Sequence, residues 1–215
     1  MNPKTIVFDL DDTLIPEVDY LKSAFQEIAS YIDPENKNLY NEMYHWFQNK
    51  ENVFLQLQKL YQKVSILDLK NRYRNHFPNF DPKSENRKLL LELKKKGHFL
   101  GLLTDGYSVT QRNKIKALDI ENIFDLIVIS EEFGFEKPNP KNFEVFDKFN
   151  TIEKYYIGDN TSKDFIAPNT LGWTTICLLD NGNNIHIQDF NKELIYLPKI
   201  ITNKLFKFKH ILHIK

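Results

Sequence analysis

The sequence predicts an α/β protein, a doubly wound and mostly parallel sheet of the Rossmann-like kind, carrying a small all-helical cap domain. Three observations carry that expectation. Apolar runs at residues 5–10, 99–104, 126–130, 155–158 and 174–179 lack the polar alternation of half-exposed strands, which suits a parallel sheet covered on both faces. Helical stretches lie between most of these runs, as in doubly wound domains. Roughly ninety residues separate the first run from the second, far more than a usual crossover, and so point to an inserted domain.

The elements follow in chain order. In the insertion, Val18, Leu21, Phe25, Ile28 and Ile32 recur at helical spacing, and residues 40–47, 53–61 and 66–77 show similar patterns. Tyr20, Tyr40, Tyr44, Trp46 and Phe47 are assigned to the core of these helices. The cap is placed at residues 16–81, leaving 1–15 and 82–215 as the α/β core. Asp81 and Pro82 suit the N-cap and first turn of a helix over residues 83–96, which Gly97 closes. Pro168, in the helix expected after Asp164, predicts a short or kinked segment. Residues 185–215 mix apolar and basic side chains without clear period, either an outer strand with a tail or a contact surface.

Composition narrows the function classes. Lys plus Arg and Asp plus Glu both total 29, so no broad basic field exists for nucleic acid or anionic lipid, and the expected partner is a small molecule. The lone Cys177 lies in an apolar run and reads as a buried thiol. No stretch approaches the roughly 20 apolar residues of a membrane span, and Met-Asn-Pro-Lys does not open like a signal peptide. A cytoplasmic location is the resulting expectation. The six histidines show no metal-ligand spacing.

The chemistry concentrates at the ends of the apolar runs. Asp9-Leu10-Asp11-Asp12-Thr13 stands where the first run opens into a loop, and alternation puts Asp9 and Asp11 on one side of an extended backbone. Carboxylates gathered there are costly unless a cation joins them. The run 155–158 ends in Gly158-Asp159, with Asp164 about one helical turn later. Strand-end carboxylates of one sheet converge on one edge, where a hard cation such as magnesium is the natural occupant. The second run ends in Thr104-Asp105-Gly106, whose hydroxyl and backbone amides can cradle a phosphate oxygen. Lys137-Pro138-Asn139-Pro140 follows the third run, with the prolines stiffening the backbone that presents the lysine.

Taken in order, Asp-x-Asp-x-Thr, a strand-end Thr, Lys-Pro and Gly-Asp with a later Asp resemble the four motifs of the haloacid dehalogenase-like hydrolase superfamily, over residues 4–179. The resemblance implies a phosphatase with its helical cap inserted after the first motif. It implies that Asp9 is the nucleophile and Asp11 the general acid/base. It implies further that Thr104, Asp105, Gly106 and Lys137 meet the phosphoryl group. Mg²⁺ would sit between the Asp9 carboxylate, the Asp11 backbone carbonyl and Asp159, with Asp164 as ligand or support. Asp11 should lie among apolar walls and anions that favour its protonated form. The presence of Asp11 points to phosphate esters, because relatives that dehalogenate generally lack it. Asp105 stands where many relatives carry Asn. The expected substrate is a sugar phosphate or a nucleoside monophosphate. The same nucleophile would serve a phosphosugar mutase, and a non-catalytic binding protein of this fold is the other alternative.

Overall fold

The computed structural model describes residues 2–207. Its sheet has strands β1 (Thr5–Phe8), β2 (Phe99–Thr104), β3 (Leu126–Ile129), β4 (Lys154–Gly158), β5 (Thr174–Leu178) and β6 (Ile200–Thr202). They lie in the order β3-β2-β1-β4-β5-β6, and every adjacent pair is parallel. The five apolar runs are thus the first five strands. β1 sits between β2 and β4, with Phe8 level with Leu102 on one side and Ile157 on the other. Strand order reverses between β1 and β4, and open parallel sheets bind ligands at such a switch point, beyond the carboxyl ends.

Alternation in β1 explains the two layers. Ile6 and Phe8 face Leu89, Leu90 and Leu93 of helix α5 (Glu85–Lys95) and Ile115 of α6 (Ser108–Ala117). Val7 faces the opposite layer, with Phe143 of α8 (Lys141–Glu144), Phe146, Ala167 of α9 (Ile166–Thr170) and Trp173. The short helix α7 (Ser130–Phe133) follows β3 directly. Gly101 in β2 lets Phe146 pack flat on the sheet, since a Cβ there would come within 2.3 Å of the ring.

The long connection after β1 folds into four helices, α1 (Glu17–Ile32), α2 (Leu39–Gln48), α3 (Val53–Leu60) and α4 (Ile66–Asn75). They bury a core of their own around Leu21, Phe25, Ile28, Leu39, Met43, Leu57 and Leu69. Tyr40, Tyr44, Trp46 and Phe47 pack against it, and buried Tyr20 donates to the Tyr73 carbonyl. Polar bonds fasten the end of α4 to α6: Thr110 donates to the Arg74 carbonyl, and the Asn113 amide donates to the carbonyls of Asn75 and His76. His76 bridges back to α1 through Ser23 and Glu27.

One local expectation needs correction. The helix after the insertion starts at Glu85 and not at residue 83, because Ser84 caps it, its hydroxyl accepting from the Arg87 amide. Asp81 is spent one turn earlier, accepting from the Lys83 amide. The segment after β5 is the part the periodicity does not reveal. It supplies an edge strand, β6, so the outer-strand alternative holds as far as residue 207, and residues 208–215 lie outside the described residues. α9 is short, as Pro168 predicts, and the proline stands in its first turn, where a backbone N–H has no intrahelical acceptor. Cys177 is buried, and burial pushes its thiol up. Among the described residues no helix is long and apolar enough to cross a membrane.

Candidate active site

Each chemically loaded side chain stands where a central strand ends. β1 delivers Asp9, whose backbone amide still donates to the Ile157 carbonyl at 2.8 Å and so keeps the carboxylate beside the end of β4. Asp12 then turns the chain with a left-handed φ of 52°, tolerable for a short polar side chain. Its carboxylate accepts from the Glu17 amide at the start of α1 and from the Ile185 amide. One aspartate thereby ties the first helix of the insertion to the segment after β5.

β4 delivers Asp159, and Asp164 folds back beneath it. Asp164 Oδ2 accepts from the amides of Asp159 and Asn160 at 3.1 and 2.8 Å. Gly158 makes room for this, since a Cβ there would lie 2.4 Å from that oxygen. Carboxylate oxygens of Asp9, Asp159 and Asp164 all lie within 4.8 Å of one another, and all three residues are buried. The first and fourth motifs therefore meet.

Lys137 reaches in from the loop after α7. Its ammonium lies 2.8 Å from Asp9 Oδ1 and 2.8 Å from Asp164 Oδ1, and 3.0 Å from the Tyr156 hydroxyl. Burial opposes its charge, but the flanking Asp164 and Asp9 carboxylates hold its pKa well above the usual lysine value. One ammonium against three carboxylates leaves negative charge uncompensated. Burial pushes Asp159 up to about 9, with Asp164 and Asp9 adding to it, and pushes Asp9 up to about 7 against the pull of Lys137. Buried oxygen donors under that strain suit a hard divalent cation.

Thr104 ends β2 beside this cluster, its hydroxyl accepting from the Gln111 amide at 2.5 Å. Asp105 is held at both oxygens, by the Lys137 backbone amide at 3.0 Å and by the Lys163 ammonium at 2.8 Å. Gly106 donates its amide to the Ser130 hydroxyl, away from the carboxylates. Asp11 departs from expectation. It does not lie among apolar walls, since Oδ1 takes a bond from Lys114 at 2.7 Å and Oδ2 one from Gln111 at 2.9 Å.

A cavity of about 80 Å³ opens on the cluster, lined by Asp9, Asp11, Thr104, Asp105, Asp159 and Lys163 among others. Glu17 and His186 also line it. Burial and the nearby Asp11 push Glu17 up to about 7. The sequence motifs do not reveal Gln111, Lys114, Lys163, Glu17, Tyr156, Asn184 or His186. Only their neighbours in space mark them. Asn184 donates to Asp159 Oδ2 at 2.9 Å, from a turn in which Asp180 Oδ1 accepts the amides of Gly182, Asn183 and Asn184.

Comparison with known proteins decides the family. A family profile described as haloacid dehalogenase-like hydrolase matches residues 6–178. The chain belongs to this hydrolase family. Among relatives of this haloacid dehalogenase-like hydrolase, a glyceraldehyde 3-phosphate phosphatase of Methanopyrus kandleri is 30% identical over 198 residues, covering 80% of this chain and 82% of the relative. A protein of the same name from Methanocaldococcus jannaschii is 30% identical over 207 residues, covering 82% and 85%. The fold of this hydrolase is also that of a Bacillus subtilis HAD-hydrolase bound to magnesium. The two superpose with a TM-score of 0.66 at 21% identity, over 99% of both chains.

Proposed function

We propose that the chain is a magnesium-dependent phosphatase that hydrolyses a small sugar phosphate through an aspartyl-phosphate on Asp9. The observation that carries this reading is the buried meeting of Asp9, Asp159 and Asp164 around Lys137, at the edge of a cavity, in a chain of this hydrolase family. The enzyme is a phosphoric monoester hydrolase. The four helices after β1 act as its cap, over residues 16–81.

The residues divide the work. The Asp9 carboxylate attacks phosphorus while the P–O ester bond breaks, and the departing alkoxide takes a proton from Asp11. Asp11 next accepts a proton from water, whose oxygen attacks the acyl phosphate, releasing inorganic phosphate and restoring Asp9. Splitting one displacement into two in this way lowers each barrier. Lys114 and Gln111 fix the Asp11 carboxyl for both transfers. Thr104 and the backbone amide of Asp105 meet phosphoryl oxygens, whereas the Gly106 amide is already taken by Ser130. Asp9, Asp159 and the Asp11 carbonyl are the groups to hold Mg²⁺, with Asp164 as support because its oxygens already serve Lys137, Tyr156 and two amides. When bound, the ion neutralises charge that spreads over the phosphoryl oxygens.

The substrate reading rests on the relatives. Both relatives are named for a triose phosphate, a phosphoryl group on a short carbon chain. Purified protein with Mg²⁺ is expected to release inorganic phosphate from an aryl phosphate and, across a panel of phosphorylated metabolites, to prefer triose phosphates over nucleoside monophosphates. Asp9→Asn abolishes release while thermal melting still shows a folded protein. Release unaffected by Asp9→Asn sinks the mechanism. Conversion of one sugar phosphate into its isomer, without free phosphate, identifies a mutase instead.

A further inference from the structure

The motifs name one side-chain cation at the site, Lys137, and the cavity lining offers another. Lys137 is already engaged. Its side chain is 1% exposed, and its ammonium has three close oxygen partners, in Asp9, Asp164 and the Tyr156 hydroxyl. An ammonium has three donors, so these partners account for all of them. Lys137 thus holds the Asp9 and Asp164 carboxylates together, and it is not among the residues that line the cavity.

The cavity nevertheless needs a cation besides the metal. Its lining carries the carboxyl groups of Asp9, Asp11, Asp12, Glu17, Asp105 and Asp159. A phosphate ester entering there meets like charge at short range, which a poorly hydrated wall screens weakly. Among the described residues, Lys163 is the lysine that shares this lining. Its side chain is 32% exposed, and its ion pair is with Asp105 Oδ2 at 2.8 Å. Two of its three donors are left to point elsewhere.

Asp105 is what aims it. The Asp105 side chain is mostly buried, and its other oxygen accepts from the Lys137 amide, so the carboxylate cannot swing freely. The pair joins the loop after β2 to the loop after β4 across the site. We propose that Lys163 is a second side-chain cation, beside Lys137, that binds the substrate's phosphoryl oxygens, and that Asp105 is a positioning residue that holds Lys163 toward them. The acidic residue at position 105 then has a reason: its charge recruits a lysine that a neutral amide would hold less firmly.

This inference rests on the phosphatase reading, and the experiment separates the two. Aryl phosphate hydrolysis at saturating Mg²⁺ is measured for the wild type, Lys163→Gln, Lys163→Arg and Asp105→Asn. Competitive inhibition by inorganic phosphate and its calorimetric binding are measured beside it. Lys163→Gln is expected to raise KM and weaken phosphate binding by about tenfold to a hundredfold, the loss of a bond between charged groups. The Mg²⁺ concentration for half-activation should stay as in the wild type, and Lys163→Arg should recover part of the loss. Asp105→Asn should show a smaller effect that vanishes in the Lys163→Gln background. Unchanged KM and unchanged phosphate binding in a folded Lys163→Gln protein overturn the proposal while leaving the phosphatase reading intact. A wild type without turnover overturns the phosphatase reading, and phosphate calorimetry then still decides the role of Lys163.

Discussion

The Lys114 ammonium lies 2.7 Å from Asp11 Oδ1 and joins the middle of helix α6 to the loop after β1. Both side chains are shielded, and Lys114 also sits over the Tyr20 ring at 4.6 Å. The contact therefore links three parts of the molecule: the sheet edge, a core helix and the first helix of the insertion. Replacing Lys114 by Met leaves Asp11 without its cation and held by Gln111 alone. We expect kcat to fall by about tenfold or more, the scale of a lost charged hydrogen bond. KM should change little, because Asp11 acts on the leaving group. Steady-state kinetics check this, and a fall confined to KM would count against it.

Gly158 admits no side chain. A methyl group there would meet Asp164 Oδ2 at 2.4 Å and Cγ at 2.8 Å. Gly158→Ala should therefore push Asp164 off the Asp159 and Asn160 amides, lower the melting temperature and weaken Mg²⁺ binding together. Gly101→Ala serves as the contrast. It collides with Phe146 in the opposite layer and should cost stability, about 1–3 kcal/mol as overpacked cores do, with the Mg²⁺ requirement unmoved. Equal effects of both variants on Mg²⁺ titrations would contradict this.

Removing the metal should make stability depend on pH in a stated direction. The native Asp159 carboxyl is raised to about 9 by burial, Asp164 and Asp9, and Asp9 is raised to about 7, against a value of 3.8 for an unperturbed aspartate. The native state then holds protons that the unfolded chain has released. Their contribution is complete below about pH 4 and is lost as pH climbs through about 7 and about 9. Mg²⁺ bound by these carboxylates would displace those same protons, so its binding should tighten as pH rises. Melting curves with a chelator and with Mg²⁺ should show a stabilisation by the metal that grows from about pH 6 to about pH 9. A stabilisation independent of pH would refute the assignment.

Asn184 offers a test of the segment after β5. Its amide donates to Asp159 Oδ2, while the next residue's amide donates to Asp12. Asn184→Ala should weaken Mg²⁺ activation severalfold, as one lost hydrogen bond to a ligand does, and leave the melting temperature near the wild-type value. Mg²⁺ titration of activity reads the effect. No shift in the titration would place Asn184 outside the site's support.

Much of the fold and part of the site were legible before the coordinates. Continuous apolar runs give strands 5–8 and 99–104 because parallel strands bury both faces, and the helical spacing from Val18 to Ile32 gives α1. The strand-end positions of Asp9 and Asp159 follow from the same pattern. β6 escaped because its three residues, one of them half exposed, carry too few contacts to leave a period. Ser84 won the helix cap from Asp81 by geometry that sequence spacing does not reveal. Tyr156 looks like a strand aromatic, yet its hydroxyl meets Lys137 and Asp164. Lys114 and Lys163 look like ordinary solvated lysines, since their partners stand 103 and 58 residues away.

β1 is synthesised before both of its neighbours in the sheet, β2 and β4. A growing polypeptide on the ribosome accordingly exposes the Asp9 carboxylate long before Lys137 and Asp164 exist to receive it. Helices α1 to α4 can meanwhile gather around their own apolar centre, because their contacts are local. The carboxylate cluster can assemble only once β4 has been made and the first strand is flanked on both sides.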